Sequence, residues 1–275
     1  MKIDLHTHSN RSDGTDSPAD LVENAKAAGL DVVAITDHDS TEGWKEADRA
    51  AKRVGITLVH GIEISTRLEG RSIHLLGYEF DSHDRALLTE LRRILDGRDD
   101  RMPKIVERLN HEGIDISEDE VRHKARNARA SGRPHIADVL VDKAVVKDRG
   151  EAFSRFLMPG RPGYVEKYAV DLPTAIGLIK SAGGTAVIAH PWSRGSDRVL
   201  TRARITELAG LGLDGIEVDH NDHDSESRAR LRQIAREVGL IQTGSSDYHG
   251  SGKGPEFSLG CNTTPADQYH RLMSR

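Results

Sequence analysis

The chain contains a single cysteine, Cys261, among its 275 residues. A lone thiol excludes an intrachain disulfide and a metal site built from several thiolates, which fits a reducing compartment. We interpret Cys261 as a half-buried thiol without a chemical role. The sequence also lacks a run of about 18 apolar residues and a charged start followed by an apolar signal segment. We therefore expect a cytoplasmic protein without a membrane partner.

Excess positive charge is lacking as well, since the formal net charge is −5. This argues against a broadly basic surface that would bind long duplex nucleic acid, although it leaves room for a local basic groove. No G-x-G-x-x-G turn follows the first strand-like run, and no repeat of fixed period is present. A hydrophobic content of 36% suits one sizeable α/β domain, alone or with an insertion.

Side chains that commonly bind metals lie at the ends of apolar, strand-like runs. In the first run, residues 3–8, apolar and polar residues alternate with period two, so a strand would direct His6 and His8 to the same side. Five further runs deliver a candidate ligand in the same way. The candidate ligands are His6, His8, Asp13, His38, Glu63, His74, His190, Asp247 and His249.

Helical patterns alternate with these runs. Ser17 can cap a helix that begins at Pro18 and ends before Gly29, and further helices are predicted over residues 41–54 and 172–182. This alternation predicts a parallel sheet. Ligands at the carboxyl ends of parallel strands are typical of an α/β barrel, and an open doubly wound sheet is the alternative.

Residues 84–156 break the alternation with successive charged helical segments, at 87–95, 102–109, 118–125 and 136–146. A cluster of proline and glycine at 159–163 then precedes the return to strands and helices. We therefore predict a barrel made of residues 1–83 and 160–275. Residues 84–159 would form a helical insertion that caps the active site.

The donor types predict the metal and the reaction. Imidazole nitrogens mixed with carboxylate oxygens suit manganese, iron or zinc better than calcium, and we favour manganese. A set of such ions lowers the pKa of bound water and neutralises phosphoryl oxygens, so phosphoester hydrolysis is the expected chemistry. In the insertion, Arg133 and His135 lie at a helix start, where a phosphate can be bound. His135 could also protonate a leaving oxygen.

Taken together, these motifs resemble those of the polymerase and histidinol phosphatase (PHP) superfamily. The matching segments are His6-Thr7-His8-Ser9 with Asp13, Thr36-Asp37-His38-Asp39, Gly61-Ile62-Glu63, Ile73-His74, Ala189-His190-Pro191 and Ser246-Asp247-Tyr248-His249. The resemblance spans almost the whole chain. It implies a distorted (β/α)7 barrel that binds two to three divalent metal ions and uses a bridging hydroxide as the nucleophile.

The resemblance also implies how the ligands are shared among the ions. Glu63 would bridge the first two ions. The first ion would be held by His6, His8, Glu63 and Asp247, the second by Glu63, His74 and His190, and the third by Asp13, His38 and His249. We count Asp247 and His135 as the catalytic candidates, with the general acid unassigned.

A closer resemblance lies outside these motifs, at residues 132–135, 141–148 and 159–165. These segments are similar to the subgroup that acts on nucleoside 3′,5′-bisphosphates such as pAp, which it converts to the nucleoside 5′-monophosphate and orthophosphate. The resemblance implies that Arg133 and His135 bind the second phosphate of the substrate. Lys167 and His223 match further positions that could contact substrate.

Several other functions are compatible with the sequence. They are 5′-to-3′ exoribonuclease activity on short 5′-phosphorylated RNA, hydrolysis of cyclic phosphates, and hydrolysis of histidinol phosphate. A noncatalytic PHP module is the alternative outside enzymology, which the presence of all nine candidate ligands disfavours. The expected partner is accordingly a small nucleotide or a short oligoribonucleotide.

Overall fold

The computed structural model describes residues 1–274. Its centre is a curved sheet in which seven strands pair in the order β1-β2-β3-β4-β6-β7-β8, while β5 pairs with β3. The strands are β1 (Ile3–Asp4), β2 (Val32–Ile35), β3 (Thr57–Leu68), β4 (Arg71–Tyr78), β5 (Val170–Asp171), β6 (Thr185–Ala189), β7 (Gly215–Asp219) and β8 (Ile241–Gly244). A parallel bridge between Thr7 and Tyr248 brings the two edges together. The predicted seven-stranded barrel is confirmed as a nearly closed sheet.

One strand runs against the others, which corrects the expectation of an all-parallel sheet. β4 pairs antiparallel with β3 and with β6. The reason is the connection: β3 and β4 are joined by Glu69 and Gly70 alone, with φ of 47° and 78°. Such a two-residue turn can join only antiparallel neighbours. Glu63 and His74 therefore lie inside β3 and β4, not at strand ends.

The helices surround this sheet and extend from it. They are α1 (Pro18–Ala27), α2 (Trp44–Val54), α3 (Arg85–His111), α4 (Glu118–Lys124), α5 (Arg133–Asp142), α6 (Arg149–Ala152), α7 (Leu172–Ser181), α8 (Arg202–Gly210), α9 (Ser225–Val238) and α10 (Ala266–Met273). The Ser17 side chain accepts the N–H of Asp20 at the start of α1, and Gly55 ends α2 in the left-handed conformation. The predicted boundaries of these two helices are confirmed to within a few residues.

All secondary-structure elements within residues 85–157 are helical, and the last of them is a π-helical turn, Phe153–Leu157. The separate segments predicted at 87–95 and 102–109 are one continuous helix, α3, which contains Pro103. The first half of α3 packs Leu87 and Ile94 against the barrel core. Its second half contributes Ile105 and Leu109 to a second core shared with α4 and α5. The division into barrel and insertion at residues 84 and 159 stays a prediction.

None of the helices within residues 1–274 is long and apolar enough to cross a membrane.

Candidate metal centre

The Glu63 carboxylate lies at the centre of the candidate ligands. Its Oε1 is 2.8 Å from Nδ1 of His74 and 3.1 Å from Nε2 of His190. Its Oε2 faces the other way, 3.4 Å from Nε2 of His6 and 3.2 Å from Nε2 of His8. Oε2 also lies 3.0 Å from Nδ1 of His38. Each oxygen of this carboxylate thus faces a different set of imidazoles, which is the geometry that a bridging ligand needs.

His6, His8 and Asp247 complete the group on the Oε2 side. The two Nε2 atoms are 3.0 Å apart, and each lies 3.5 Å from Oδ1 of Asp247. Asp247 is far from His6 and His8 in the sequence, and the three side chains meet because β1 and β8 are the two edges of the nearly closed sheet. All three side chains are buried.

Asp13, His38 and His249 form a third group beside His8. The Asp13 carboxylate lies 3.2 Å from Nε2 of His249, 3.7 Å from Nε2 of His38 and 3.7 Å from Nδ1 of His8. Nδ1 of His38 lies 3.0 Å from Oε2 of Glu63, but neither this atom nor Oδ1 of Asp13, both of which are buried, makes a well-aligned hydrogen bond within residues 1–274. Buried polar atoms without partners are rare in folded proteins unless an ion or water satisfies them.

The donor set fits divalent transition-metal ions. Three groups bring their donor atoms within 4.8 Å of one another: His8 with Asp13, His38 and His249; His6 with His8 and Asp247; and His38 with Glu63 and His74. These groups contain eight of the nine predicted ligands, and the ninth, His190, lies 3.1 Å from Oε1 of Glu63. His8 and His38 each belong to two of the groups, whereas the assignment by resemblance gave each of them to one ion.

Burial and charge set the protonation of the imidazoles. Burial, reinforced by the neighbouring His220, lowers the pKa of His190 to about 4. Burial, reinforced by Lys253, lowers the pKa of His249 to about 4 as well. For His8, burial lowers the pKa, but Asp247 and Glu63 outweigh it and raise the pKa to about 9. At neutral pH, two imidazoles are thus ready to bind a metal, whereas His8 must first lose a proton.

In three of the ligand rings, Nδ1 has a partner that directs Nε2 toward the other ligands. Nδ1 of His6 lies 3.3 Å from Oε1 of Glu217, and Nδ1 of His190 lies 3.0 Å from Oγ of Ser193. Nδ1–H of His249 donates to the Asp247 carbonyl at 2.8 Å. Partners of this kind fix ring orientation in metal sites. Sequence reasoning missed Glu217, although a carboxylate within an otherwise apolar strand was the available signal.

The Asp4 and Asp37 carboxylates, which lie close to ligands in the sequence, bond to main-chain and hydroxyl groups of the ligand loops. The Asp4 carboxylate accepts the main-chain N–H groups of Ser246 and Gly260. Asp37 accepts hydrogen bonds from the hydroxyls of Ser9 and Ser12. Both carboxylates therefore stabilise the loops on which ligands lie.

The main chain is strained at two of the ligands. His190 and Asp247 have positive φ of 28° and 54°, and Asp39, next to His38, has a φ of 56°. Such conformations cost roughly 1–3 kcal/mol each in residues other than glycine and concentrate at functional sites. The rest of the fold imposes these conformations because the ligand side chains must converge.

Four cationic side chains form a group beside the ligand cluster that we call the cation pocket: Arg98, Arg101, Arg133 and Lys167. The Arg98 guanidinium makes a buried ion pair of 2.7 Å with Asp39. The ammonium nitrogen of Lys167 is buried and has no hydrogen-bond partner in the part of the chain that the structure describes. Burial, together with Arg98, lowers the pKa of Lys167 well below its usual value, and Arg101 and Arg133 add to this effect. The pocket therefore has an excess of positive charge.

Arg133 and His135 lie where the insertion meets this pocket. Arg133 donates Nη1–H to the Leu157 carbonyl at 2.9 Å, and its guanidinium lies over the rings of Phe153 and Tyr164. Nδ1 of His135 accepts the N–H of Gly132 at 3.0 Å, so the neutral ring carries its proton on Nε2. His135 lines a cleft that also contains the third-group ligands Asp13 and His38.

His223 was predicted to contact substrate, but each of its ring nitrogens already has a hydrogen-bond partner. Nδ1 lies 2.9 Å from the Val218 carbonyl, and Nε2 accepts the N–H of Trp192 at 3.3 Å. The indole N–H of Trp192 donates to the Leu200 carbonyl. The indole ring packs against the barrel core, and the Arg230 guanidinium lies over it. Substrate binding by His223 would require one of its hydrogen bonds to break.

His220, in the same segment, is directed at the centre instead. Its Nδ1 accepts the N–H of Asp222, so Nε2 carries the proton and faces Oδ2 of Asp247 at 3.3 Å. The Lys253 ammonium also contacts this oxygen. The sequence pattern could not distinguish His220 from His223, because the choice depends on the path of the chain after β7.

Comparison with known proteins places this geometry in a family. The PHP domain model matches residues 4–131. The chain is 36% identical to the 3′,5′-nucleoside bisphosphate phosphatase of Chromobacterium violaceum over 92% of this chain and 88% of that protein. It is 38% identical to a 5′-3′ exoribonuclease of Haemophilus influenzae over 90% of both chains. A solved Bifidobacterium adolescentis structure, to which metal-dependent phosphoesterase activity has been ascribed, is 35% identical with a TM-score of 0.94, over 99% of this chain and 95% of that one.

Proposed function

We propose that this chain, which belongs to the PHP family of metal-dependent phosphoesterases, removes the 3′-phosphate from nucleoside 3′,5′-bisphosphates such as pAp. One water is consumed, the P–O bond to the 3′ oxygen breaks, and the products are the nucleoside 5′-monophosphate and orthophosphate. The proposal depends mainly on one observation: a pocket with excess positive charge adjoins the ligand cluster, so a substrate with two phosphates can occupy both.

The ligand assignment follows the two faces of Glu63. Bound divalent ions, for which we favour manganese over iron or zinc, would supply water of lowered pKa and neutralise the phosphoryl oxygens. Two to three ions would be held in the following groups: His6, His8, Glu63 and Asp247; Glu63, His74 and His190; and Asp13, His38 and His249.

The second phosphate would bind to Lys167 and Arg133. The cations around Lys167 are Arg98, Arg101 and Arg133, and the Asp39 carboxylate partly offsets their effect on its pKa. A phosphate dianion would compensate this excess charge and give the Lys167 ammonium the hydrogen-bond acceptor it lacks within residues 1–274. A planar guanidinium such as that of Arg133 matches two phosphate oxygens.

His135 would act as a hydrogen-bond donor. Burial lowers the pKa of His135, so the ring is neutral at neutral pH. With Nδ1 occupied by the Gly132 N–H, only Nε2–H is free to donate, either to a phosphate oxygen or to the leaving 3′ oxygen. A neutral imidazole is a poor proton source, so this role differs from that of a general acid.

Exoribonuclease activity on short 5′-phosphorylated RNA is the second candidate. The terminal 5′-phosphate of such an RNA would occupy the same cation pocket, and the similarity to the Haemophilus influenzae exoribonuclease supports this reading. Cyclic phosphates without a second phosphate and histidinol phosphate are weaker candidates. Each would leave the buried charge of Lys167 uncompensated.

The decisive experiment compares substrates that differ only in the second phosphate. With Mn²⁺, phosphate release from adenosine 3′,5′-bisphosphate should exceed that from adenosine 3′-monophosphate by about 10–150-fold in kcat/KM, since a hydrogen bond between charged groups contributes about 1.5–3 kcal/mol. Equal values would refute the proposal. Faster turnover of a 5′-phosphorylated dinucleotide than of the bisphosphate would favour the exoribonuclease.

Variants separate the two sites. Arg133→Ala should lower kcat/KM only for substrates that carry the second phosphate, whereas His190→Ala should abolish turnover of every substrate. Arg122→Ala, in an exposed residue of the insertion that pairs with Glu118, is the matched control and should change neither. Equal losses from Arg133→Ala and His190→Ala would contradict separate roles in binding and in chemistry.

A further inference from the structure

Arg149, the first residue of α6, reaches from the insertion to the barrel. Its Nη1–H donates to the main-chain carbonyl of Asp13 at 3.0 Å and lies 3.5 Å from that of Gly252. These carbonyls belong to two different loops, at residues 9–16 and 249–254, and each loop carries a ligand of the third group. A single side chain of the insertion therefore contacts both ligand loops.

The opposite edge of the guanidinium is held by Asp138 on α5. Nε donates to Oδ1 of Asp138 at 2.6 Å, and Nη2 donates to Oδ2 at 2.7 Å. The Arg149 and Asp138 side chains are only 14% and 27% exposed. A paired fork of this kind fixes the plane of the guanidinium, so Nη1 is presented to the loops in one orientation.

The loops are shaped for this close approach. A Cβ at position 252 would lie 2.2 Å from Nη1 of Arg149, so only glycine allows the contact. The loops also bond each other, because the Thr15 N–H donates to the His249 carbonyl at 3.1 Å and the Ser251 N–H donates to Oγ1 of Thr15 at 2.9 Å. The two loops and Arg149 thus form one connected unit.

We propose that Arg149 is a positioning residue through which the insertion maintains the third ion position. The Asp13 carboxylate lies 3.2 Å from Nε2 of His249, and Arg149 holds the main chain on both sides of that pair. The insertion would accordingly retain an ion in addition to covering the substrate. The inference rests on the ligand assignment of the proposed function and on no assumption about the substrate.

The test uses Arg149→Met in the full chain, with two measurements that contain no substrate. In metal-free protein, amide hydrogen exchange of residues 9–16 and 249–254 should become about tenfold faster or more, while β3 and β4 keep their rates. In equilibrium dialysis with Mn²⁺, the weakest-held ion should bind about 10–100-fold more weakly, and the tighter ions should bind as before.

Matched variants control for charge and for folding. Arg122→Met removes an exposed arginine elsewhere in the insertion that pairs with Glu118 across one helical turn, and it should change neither measurement. Asp138→Asn keeps Arg149 but weakens its fork, so it should affect the same two loops by a smaller factor. This variant also tests the inference if Arg149→Met fails to fold.

Two results would overturn the inference. In the first, Arg149→Met shows the same amide exchange in both loops and the same Mn²⁺ binding as the wild type. The second is a uniform rise in exchange that includes β3 and β4, because Arg149 would then stabilise the whole fold without positioning the ligands. Neither measurement contains substrate, so a failure of the bisphosphate to react would refute the proposed function without affecting this test.

Discussion

Replacing Lys167 with methionine should stabilise the fold and weaken substrate binding at the same time. Methionine keeps a side chain of similar length and removes the ammonium. That ammonium is buried without a hydrogen-bond partner among residues 1–274, and it lies near other cations, above all Arg98. The free protein therefore bears a penalty that only a bound anion relieves.

The magnitude follows from the burial of this group. A buried polar group without a partner costs about 1–3 kcal/mol, so Lys167→Met should raise the free energy of unfolding by about that amount. The loss of one charged hydrogen bond to phosphate should lower kcat/KM for adenosine 3′,5′-bisphosphate by about 10–150-fold.

The stability effect should also depend on pH. Because folding lowers the pKa of Lys167, its penalty is present at neutral pH, and it disappears as the pH rises above the unfolded pKa of about 10.4. Urea unfolding at a series of pH values from 7 upward measures this. The difference between variant and wild type should shrink steadily toward alkaline pH.

The activity assay needs the substrate without a second phosphate as its reference. Lys167→Met should lower kcat/KM for the bisphosphate and leave adenosine 3′-monophosphate within about twofold of wild type, since Lys167 would contact only the 5′-phosphate. A destabilised variant, or equal losses on both substrates, would refute the reasoning. The first result would mean that Lys167 has a partner in solution, and the second that it acts on the chemistry.

Three further predictions concern the ligands and the buried ion pair. Glu217→Gln should weaken Mn²⁺ binding about tenfold in dialysis, because it loosens the orientation of His6; unchanged binding would contradict that role. Since the pKa of His8 is raised to about 9, apparent Mn²⁺ affinity should fall by up to about tenfold for each pH unit below 9, and a flat profile in calorimetric titrations would count against it. Arg98→Met should lower unfolding free energy by about 3–5 kcal/mol in urea, because it leaves Asp39 buried and unpaired, and a loss under 1 kcal/mol would show that water reaches Asp39.

Local features were predictable from the sequence. Ser17 and Pro18 begin α1, and Gly55 ends α2, because caps depend on residues within one turn of the helix end. The direction of β4 was not predicted, although the two-residue turn at Glu69 and Gly70 contained the signal. Two helical segments were predicted, at 87–95 and 102–109, where α3 is continuous, because the chain between them is held in one helix by packing against two cores.

The sequence by itself determined which side chains can bind metal and that strands deliver them, because donor chemistry and period-two alternation are local properties. Only the tertiary structure decided that the two oxygens of Glu63 face different sets of imidazoles, that Glu217 orients His6, and that His220 faces the centre. It also placed the Lys167 ammonium near Arg98 with no hydrogen-bond partner among the residues described. These contacts join residues distant along the chain, and their angles are set by the closure of the barrel and the docking of the insertion, which no local pattern encodes.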